Sequence, residues 1–127
     1  METKQRKELV GSLNVRGIKT EEERRELFTD AVKYKLDVIT IAETHIGDKQ
    51  LFNELKGKDS HGHVQEYILF STNKENSSTH GTGILIKKCL KPDIQRITDR
   101  ICTADINLKD HKVICAICAT DSPHKYL

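Results

Sequence analysis

Two short apolar stretches decide the fold: Leu9–Val15, which reads LVGSLNV, and Asp37–Glu43, which reads DVITIAE. In the first stretch, Leu9, Gly11, Leu13 and Val15 share one face, and the residues between them share the other. This alternation predicts a strand, although Gly11 weakens the pattern. The second stretch is rich in β-branched residues and is apolar on both of its faces, which is typical of a strand buried on both sides. The other predicted elements lie between and after these two strands.

The residues between the two strands predict a helix over Glu21–Tyr34. Thr20 followed by Glu23 is the capping-box pattern that begins many helices, and acidic residues in the first turn favour the positive end of the helix dipole. Apolar residues then recur at helical spacing at Leu27, Phe28, Ala31 and Val32. Strand, helix and strand in succession predict a βαβ unit with a parallel pair of strands.

The remainder of the chain predicts mainly antiparallel strands. A short helix is predicted over Lys49–Leu55, because Leu51 and Leu55 lie four residues apart, and a loop over Lys56–Gln65. The predicted strands are Tyr67–Ser71, Gly83–Lys87, Ile94–Ile97, Arg100–Leu108 and Lys112–Ala119, with a loop over Thr72–Thr79, a turn at Asp110-His111 and a polar tail over Thr120–Leu127. The order predicts an α/β protein with a mixed sheet, in a single domain that spans residues 1–127.

Composition narrows the class of protein. The chain has 127 residues, 21 Lys and Arg against 19 Asp and Glu, and a net charge of +2, which is too balanced to indicate a nucleic-acid binder by itself. The apolar segments exclude a disordered protein. The charged start, Met1–Glu8, is not a signal peptide, and no apolar run is long enough to cross a bilayer, so we expect an intracellular protein with four reduced cysteines and no membrane contact. A nuclear location within the cell stays open.

Asn14 and Glu43 are the candidate functional residues, because they lie near the carboxyl ends of the two strands of the βαβ unit. Ligands of parallel sheets bind outside the carboxyl ends of the strands. A carboxylate there can hold a hard cation such as Mg²⁺, and a neighbouring amide can orient a phosphate oxygen. From the residues alone, a turn at Asn14 and a solvated strand end at Glu43 are the commoner interpretation.

Several segments, in order, resemble the opening of the endonuclease/exonuclease/phosphatase superfamily. Leu13–Gly17 (LNVRG) is similar to its Asn-Val-x-Gly strand end, and Asp37–His45 (DVITIAETH) to its strand ending in Gln-Glu-Thr-His, with Ala42 in place of Gln. His80–Leu85 (HGTGIL) looks like its glycine-led strand. The resemblance spans about residues 9–121, and no single motif in it is specific.

Two later segments resemble the endonuclease domains that accompany retrotransposon reverse transcriptases, and their craniofacial development protein 2-like relatives. Asp99–Cys102 looks like the opening of a strand in that group, and Val113–Thr120 (VICAICAT) falls where the group has Tyr-Ala-Pro-Thr. The chain departs from this pattern, since Ile117 replaces the Tyr and Ala119 the Pro. The implied fold is a four-layered α/β sandwich, of which this chain is an incomplete N-terminal part.

The resemblance implies hydrolysis of a phosphodiester in DNA by water. Glu43 would bind the catalytic Mg²⁺, and Asn14 would position phosphate and metal. The family's later Gly-Asp-x-Asn and Asp-His segments have no match in this chain. We therefore expect a truncated DNA endonuclease-like domain that is inactive alone, in which Asn14 and Glu43 are the only catalytic positions that can be assigned.

Two alternatives remain. The chain could be a non-catalytic DNA-binding or protein-interaction module, or a phosphatase acting on another phosphoester. Half of the family fold would supply about one sheet with an uncovered apolar face, so a protein partner covering that face is also expected.

The other candidates have ordinary explanations. Cys115 and Cys118 resemble a metal or redox pair, but positions three apart on a strand point to opposite faces. His61, His63 and His45 are as compatible with a solvated surface as with a site. The basic residues that could line a DNA-facing surface are Arg16, Lys87, Lys88 and Arg100.

Overall fold

The fold has one helix and eight strands in a computed structural model that describes residues 9–76 and 79–106, together with the backbone of residues 112–117. The first part contains β1 (Val10–Asn14), α1 (Glu21–Lys33) and β2 (Val38–Ala42). The second contains β3 (Gln50–Lys58), β4 (Val64–Thr72), β5 (Thr82–Lys87), a short 3₁₀ helix (Lys88–Leu90), β6 (Pro92–Thr98), β7 (Ile101–Ile106) and β8 (Lys112–Ile117). The α/β class is therefore confirmed.

The predicted βαβ unit is confirmed. Strands β1 and β2 pair in parallel, with Val10 opposite Val38 and Asn14 opposite Ala42. Helix α1 begins with the predicted capping box: the Thr20 hydroxyl accepts from the Glu23 backbone N–H, and the Glu23 carboxylate accepts from the Thr20 N–H. The helix is capped at Tyr34, where the sequence placed its last residue.

The strands form two sheets. The larger sheet has the order β1-β2-β5-β4-β3, in which every pair except β1 and β2 is antiparallel. The smaller sheet has the order β6-β7-β8 and is antiparallel throughout. The mixed sheet predicted from the order of elements is thus present.

The central strands of the larger sheet, β2, β5 and β4, are buried on both faces. One face packs on α1, through a cluster that includes Leu27, Phe28, Ala31, Ile39, Ile41, Tyr67, Leu69 and Leu85. The other face packs on β7 and β6, through Val38, Ile68, Phe70, Ile84, Ile86, Cys102, Ala104 and Ile106. Successive residues of each central strand alternate between the clusters because side chains of a strand point alternately to opposite faces. The layers are therefore helix, larger sheet and smaller sheet.

The expectation that the chain supplies about one sheet with an uncovered face is wrong. Strands β6, β7 and β8 form the second sheet, and Cys102, Ala104 and Ile106 are buried against the first. The sequence showed that apolar and polar residues alternate in β7. It did not show that the apolar side of β7 packs on the larger sheet, because that depends on how the strands pair. The smaller sheet therefore covers the face for which a protein partner was expected.

The predicted helix over Lys49–Leu55 is also wrong, because these residues lead into and form strand β3. Leu51 and Leu55 are an even number of residues apart, so they share a strand face as readily as a helix face. All nine residues of β3 pair with β4, and Phe52 remains exposed.

The loop predicted over Lys56–Gln65 is shorter than expected. The turn covers residues 59–63, since β3 continues to Lys58 and β4 begins at Val64. Both strand ends are polar because the hairpin extends past the core. The turn predicted at Asp110-His111 and the tail from Thr120 lie outside the described residues. Within the described residues, no helix is long and apolar enough to span a membrane.

Candidate functional site

Parallel pairing of β1 and β2 brings Asn14 and Glu43 together, as the sequence predicted. Asn14 is the last residue of β1 and lies opposite Ala42, so Glu43 follows at the same edge of the sheet. The Asn14 side-chain amide donates a hydrogen bond to Glu43 Oε2, and Asn14 Oδ1 accepts from the Arg16 backbone N–H at 3.2 Å. Residues 29 positions apart in sequence thus form one polar cluster.

The backbone around Glu43 is left-handed at several non-glycine residues. Glu43 has a φ of 57° and His45 a φ of 53°, and Arg16 on the neighbouring loop has a φ of 53°. His80, across from them, has a φ of 61°. Such conformations are uncommon for residues with a side chain and persist only where the surroundings enforce them; they concentrate at functional sites.

Hydrogen bonds to the loop before β5 hold this conformation. The Glu43 N–H donates to the Gly81 carbonyl at 2.9 Å, and the His45 N–H donates to the His80 carbonyl at 2.8 Å. On the other side, the Ile18 N–H donates to the Thr44 carbonyl at 2.9 Å. Residues 43–45 are therefore fixed between the loops after β1 and before β5.

Thr44 is the buried anchor of this segment. Its side chain is inaccessible to solvent, and its Oγ1 lies 2.8 Å from the Ser71 hydroxyl, which also lies 2.8 Å from the Thr82 carbonyl. Gly81, with a φ of 97°, passes so close that a Cβ there would collide with Thr44 Oγ1. With Thr44 directed inward, Glu43 and His45 on either side of it remain accessible.

The surroundings favour an ionised Glu43 carboxylate. The hydrogen bond from Asn14 is the main cause of a lowered Glu43 pKa, and the positive charges of His45 and Arg16 lower it further. His45 Nε2 lies 3.6 Å from Glu43 Oε1, and the two side chains are 25% and 44% exposed. An exposed, charged carboxylate with a polar neighbour on each side is suited to bind a cation.

The α1 side of the cluster is acidic. A groove of about 200 Å³ between β1 and α1 is bordered by Asn14 and by the acidic residues Glu23, Glu26 and Asp30. An anionic ligand is repelled from that side. Gly17, which also borders this groove, lies close to both the Glu23 carboxylate and the His45 ring, so the acidic residues of α1 reach the neighbourhood of His45.

Of the four candidate basic residues, two lie near this edge. Arg16 follows β1 directly, and Arg100 lies in the β6–β7 turn, whose Asp99 carbonyl accepts a hydrogen bond from Thr72 at 3.4 Å. Thr72 pairs with Thr82, and Thr82 with Ala42, so this turn borders the Glu43 edge.

The other two do not lie on the same surface, which favours the alternative that these scattered basic residues simply solvate a face. Lys87 lies at the far end of β5, about 17 Å along the strand, and pairs with buried Asp37 at 3.3 Å. Lys88 follows it and pairs with Glu54 at 3.0 Å. The sequence could not separate these residues from Arg16 because their positions depend on the antiparallel direction of β5.

At this edge, Glu43 supplies a carboxylate for the Mg²⁺ that the sequence led us to expect. Among the described residues no group of three His, Cys, Asp or Glu side chains gathers at one place. Magnesium, however, is commonly held by one or two carboxylates together with water and substrate phosphate. Glu43 supplies such a carboxylate, and the exposure of its side chain leaves room for the remaining ligands.

The other candidates from the sequence are two histidines and two cysteines. His61 and His63 lie in the β3–β4 turn, where their backbone N–H groups each donate to Asp59 Oδ1 at 2.9 Å. This turn is organised by Asp59 and lies away from Glu43. Cys115 is on β8, where only the backbone is described, and Cys118 lies outside the described residues.

Sequence reasoning missed the residues that support the site. Thr44, Ser71 and Gly81 carry ordinary strand and loop signals, and nothing in their spacing indicates that they meet. The available signal was His80-Gly81, because a glycine that requires a positive φ suggests a close approach of backbone to another group. His45 was considered, and the structure places it beside Glu43.

Comparisons with known proteins add no relative. No protein-family model, no curated protein and no solved structure matches the chain. The functional argument consequently depends on the geometry at Asn14 and Glu43.

Proposed function

We propose that the chain is the N-terminal part of an endonuclease-like domain of the endonuclease/exonuclease/phosphatase type, built on the family's four-layered α/β sandwich. In this proposal the Glu43 edge binds Mg²⁺ and a DNA phosphate. The 127 residues alone hydrolyse the phosphodiester poorly. The helix and two sheets supply three layers of such a sandwich.

One observation carries the proposal: Asn14 and Glu43, the two positions that the resemblance assigns to catalysis, form a hydrogen-bonded pair at the carboxyl edge of a parallel strand pair. Parallel pairing places the two residues side by side, and the hydrogen bond from the Asn14 amide then orients the Glu43 carboxylate. The left-handed backbone at Glu43 and His45, held by Gly81 and His80, indicates that the cluster is maintained against a conformational cost.

Each residue of the cluster has a role in this proposal. Glu43 would hold the metal through its carboxylate, which the Asn14 amide orients. Arg16 and His45, the basic side chains that influence the Glu43 carboxylate, would contact the phosphate. When bound, Mg²⁺ supplies charge stabilisation at the phosphoryl oxygens.

Poor hydrolysis follows from the composition of the site. Within the described residues, the side chains that hydrogen-bond to the Glu43 carboxylate or pair with its charge are Asn14, His45 and Arg16, and none of them is a second carboxylate. A positioned general acid or base typically contributes ~10²- to 10⁴-fold in rate.

The test of the metal site is a titration of the ¹⁵N-labelled chain with MgCl₂, followed by NMR. We expect amide shifts concentrated at residues 14–16 and 43–45, and their loss in Glu43→Gln. Glu22→Gln, which removes an exposed acid of α1, should titrate like the wild type. Equal titration of Glu43→Gln and wild type would remove the basis of the proposal.

Nicking of supercoiled plasmid tests the hydrolytic part. We expect little or no Mg²⁺-dependent nicking by the wild-type chain. Strong nicking that disappears in Glu43→Gln would contradict the expected inactivity while supporting the assignment to the family. Nicking that persists in Glu43→Gln indicates a contaminating nuclease or another site.

The second candidate is a DNA-binding module without catalysis, favoured by the presence of Arg16 and Arg100 at the same edge as a single carboxylate. Binding through few phosphate contacts predicts a shallow but measurable decrease of affinity with salt. Fluorescence anisotropy with a labelled duplex separates the two candidates: affinity that is the same with Mg²⁺ and with EDTA, and unchanged by Glu43→Gln, favours the binding module.

A further inference from the structure

The turn between β3 and β4, residues 59–63, brings a carboxylate and two imidazoles to one place on the surface. Asp59, His61 and His63 stand at alternate positions of this turn, which reads DSHGH. Carboxylate oxygen and imidazole nitrogen are donors that transition metals such as Zn²⁺ take in proteins, whereas Mg²⁺ prefers oxygen alone. The turn lies at the end of the larger sheet opposite Glu43, so the two places are separate.

Hydrogen bonds to Asp59 hold the backbone of this turn in one shape. The backbone N–H groups of His61 and His63 both donate to Asp59 Oδ1 at 2.9 Å. The Asp59 N–H donates to the His63 carbonyl at 2.9 Å, and the Gly62 N–H donates to the Asp59 carbonyl at 3.0 Å. Both histidine side chains therefore start from a fixed backbone, which reduces the entropy lost when they bind a ligand.

The second carboxylate oxygen of Asp59 faces the His63 ring across a gap that is wider than a hydrogen bond. Asp59 Oδ2 lies 3.7 Å from His63 Nδ1, whereas N–H···O hydrogen bonds measure about 2.7–3.2 Å. Two ligand atoms on one tetrahedral Zn²⁺ lie about 3.4 Å apart. The observed separation is thus close to that of two ligands that share a metal. Oδ2 accepts one hydrogen bond, from the Gln65 amide at 3.1 Å, and a carboxylate oxygen can take a second partner.

His61 is the third ligand within reach of this gap. The ring centroids of His61 and His63 lie 6.3 Å apart, and two imidazoles bound to one metal have centroids about 5–6 Å apart. The three side chains do not meet at one point in the structure, so His61 has to rotate about its side-chain bonds to complete the set. Its side chain is exposed, so this rotation costs little packing. The His63 side chain is 77% exposed, which leaves the remaining coordination positions open to water.

We propose that the β3–β4 turn binds a divalent transition-metal ion of the Zn²⁺ class. The ligands are Asp59 Oδ2, His63 Nδ1 and the His61 imidazole, and water completes the coordination. An exposed site that keeps water ligands predicts a moderate affinity, with a dissociation constant between about 1 µM and 1 mM. The proposal is independent of the Glu43 site, where the expected ion is Mg²⁺.

The probe is ZnCl₂, titrated into the ¹⁵N-labelled chain and followed by NMR, with MgCl₂ as the comparison ion. We expect Zn²⁺ to shift the backbone amides of residues 59–65 and the ring nitrogens of His61 and His63. Mg²⁺ should leave these signals unchanged, because imidazole is a poor ligand for a hard cation. The proposal is overturned if Zn²⁺ shifts nothing in the turn at about 1 mM, or if its shifts are confined to His45 or to the exposed thiol of Cys89.

Three variants of the turn and one control identify the ligands. His61→Ala and His63→Ala each remove a ring, and Asp59→Asn removes the charge while keeping an oxygen that can accept from the backbone N–H groups. We expect each to weaken Zn²⁺ binding at the turn about tenfold or more. His45→Ala removes a histidine beside Glu43 and should leave Zn²⁺ binding at the turn unchanged. The metal-free spectra check that every variant is folded, and a folded His63→Ala variant with wild-type affinity would contradict the assignment.

Discussion

One neighbour is the main reason that the pKa of Glu43 lies below its ordinary value. The amide of Asn14 donates to its carboxylate, and this bond is the largest cause of the lowered Glu43 pKa. A carboxyl whose folded pKa is lowered contributes stability above its unfolded pKa and loses that contribution as the pH falls through the folded value. The same ionised form is the one that binds a cation.

Asn14→Ala should therefore raise the Glu43 pKa toward its ordinary value. Because the charges of His45 and Arg16 remain, the rise should be partial. The measurement is a pH titration of the Glu43 side-chain carboxyl by ¹³C NMR. Asn53→Ala on β3, at the far side of the sheet, serves as control and should leave the titration unchanged. An unchanged midpoint in Asn14→Ala would show that the hydrogen bond from Asn14 does not lower the pKa of Glu43.

Gly81 tests how tightly the Glu43 segment is packed. Gly81→Ala combines a strained positive φ with a collision against Thr44 Oγ1, and we expect it to lower the free energy of unfolding by at least about 3 kcal/mol. Gly62→Ala is the matched control, because Gly62 also has a positive φ but nothing within 4 Å of an added Cβ. It should cost only about 1–2 kcal/mol. Urea denaturation measures the free energy of unfolding of both variants. Equal losses would show that the residues around Gly81 move to accommodate the added methyl group.

At the scale of elements, helix α1 depends on its first turn. The mutual hydrogen bonds of Thr20 and Glu23 satisfy backbone groups that have no partner within the helix. The buried stripe of Leu27, Phe28 and Ala31 then fixes the helix on the sheet. Capping and packing therefore act at different ends of the same helix.

Thr20→Ala should lower the free energy of unfolding by about 0.5–2 kcal/mol, because it removes the acceptor for the Glu23 N–H. Thr29→Ala, on the exposed side of α1, removes a similar hydroxyl and should have no cost or a slight gain, since Ala has the higher helix propensity. Urea denaturation of the two variants checks the difference. Similar losses for both would mean that the capping box contributes nothing.

At the scale of the whole molecule, stability depends on contact between the two sheets. Ile106 on β7 is 1% exposed and packs with Ile84, Ile86 and Phe70 of the larger sheet. These residues come from distant parts of the chain, so their contact forms only when both sheets are present. The smaller sheet is therefore part of the core.

Ile106→Ala should lower the free energy of unfolding by about 2–5 kcal/mol, from lost burial and a residual cavity. Ile97→Ala is the matched control on β6, since Ile97 is 51% exposed and should cost well under half as much. Denaturant unfolding of both variants provides the comparison. A cost for Ile106→Ala no larger than that for Ile97→Ala would show that the sheets do not pack as described.

The sequence by itself determined the elements with strong local signals. The capping box at Thr20, the helical stripe and the β-branched run after Asp37 each depend on neighbours within a few residues, so βαβ and the meeting of Asn14 with Glu43 followed. Local spacing misassigned Lys49–Leu55, because a separation of four residues fits a helix and a strand equally.

Only the tertiary structure decided the rest. The second sheet over the core, the separation of Lys87 from Arg16, and the Thr44–Ser71–Gly81 support all depend on strand order and direction. Pairing between strands is a contact between residues far apart in sequence, and its partner is chosen by the burial of whole faces. The Asn14–Glu43 edge was therefore predictable as a pair, and its backbone and charged surroundings were not.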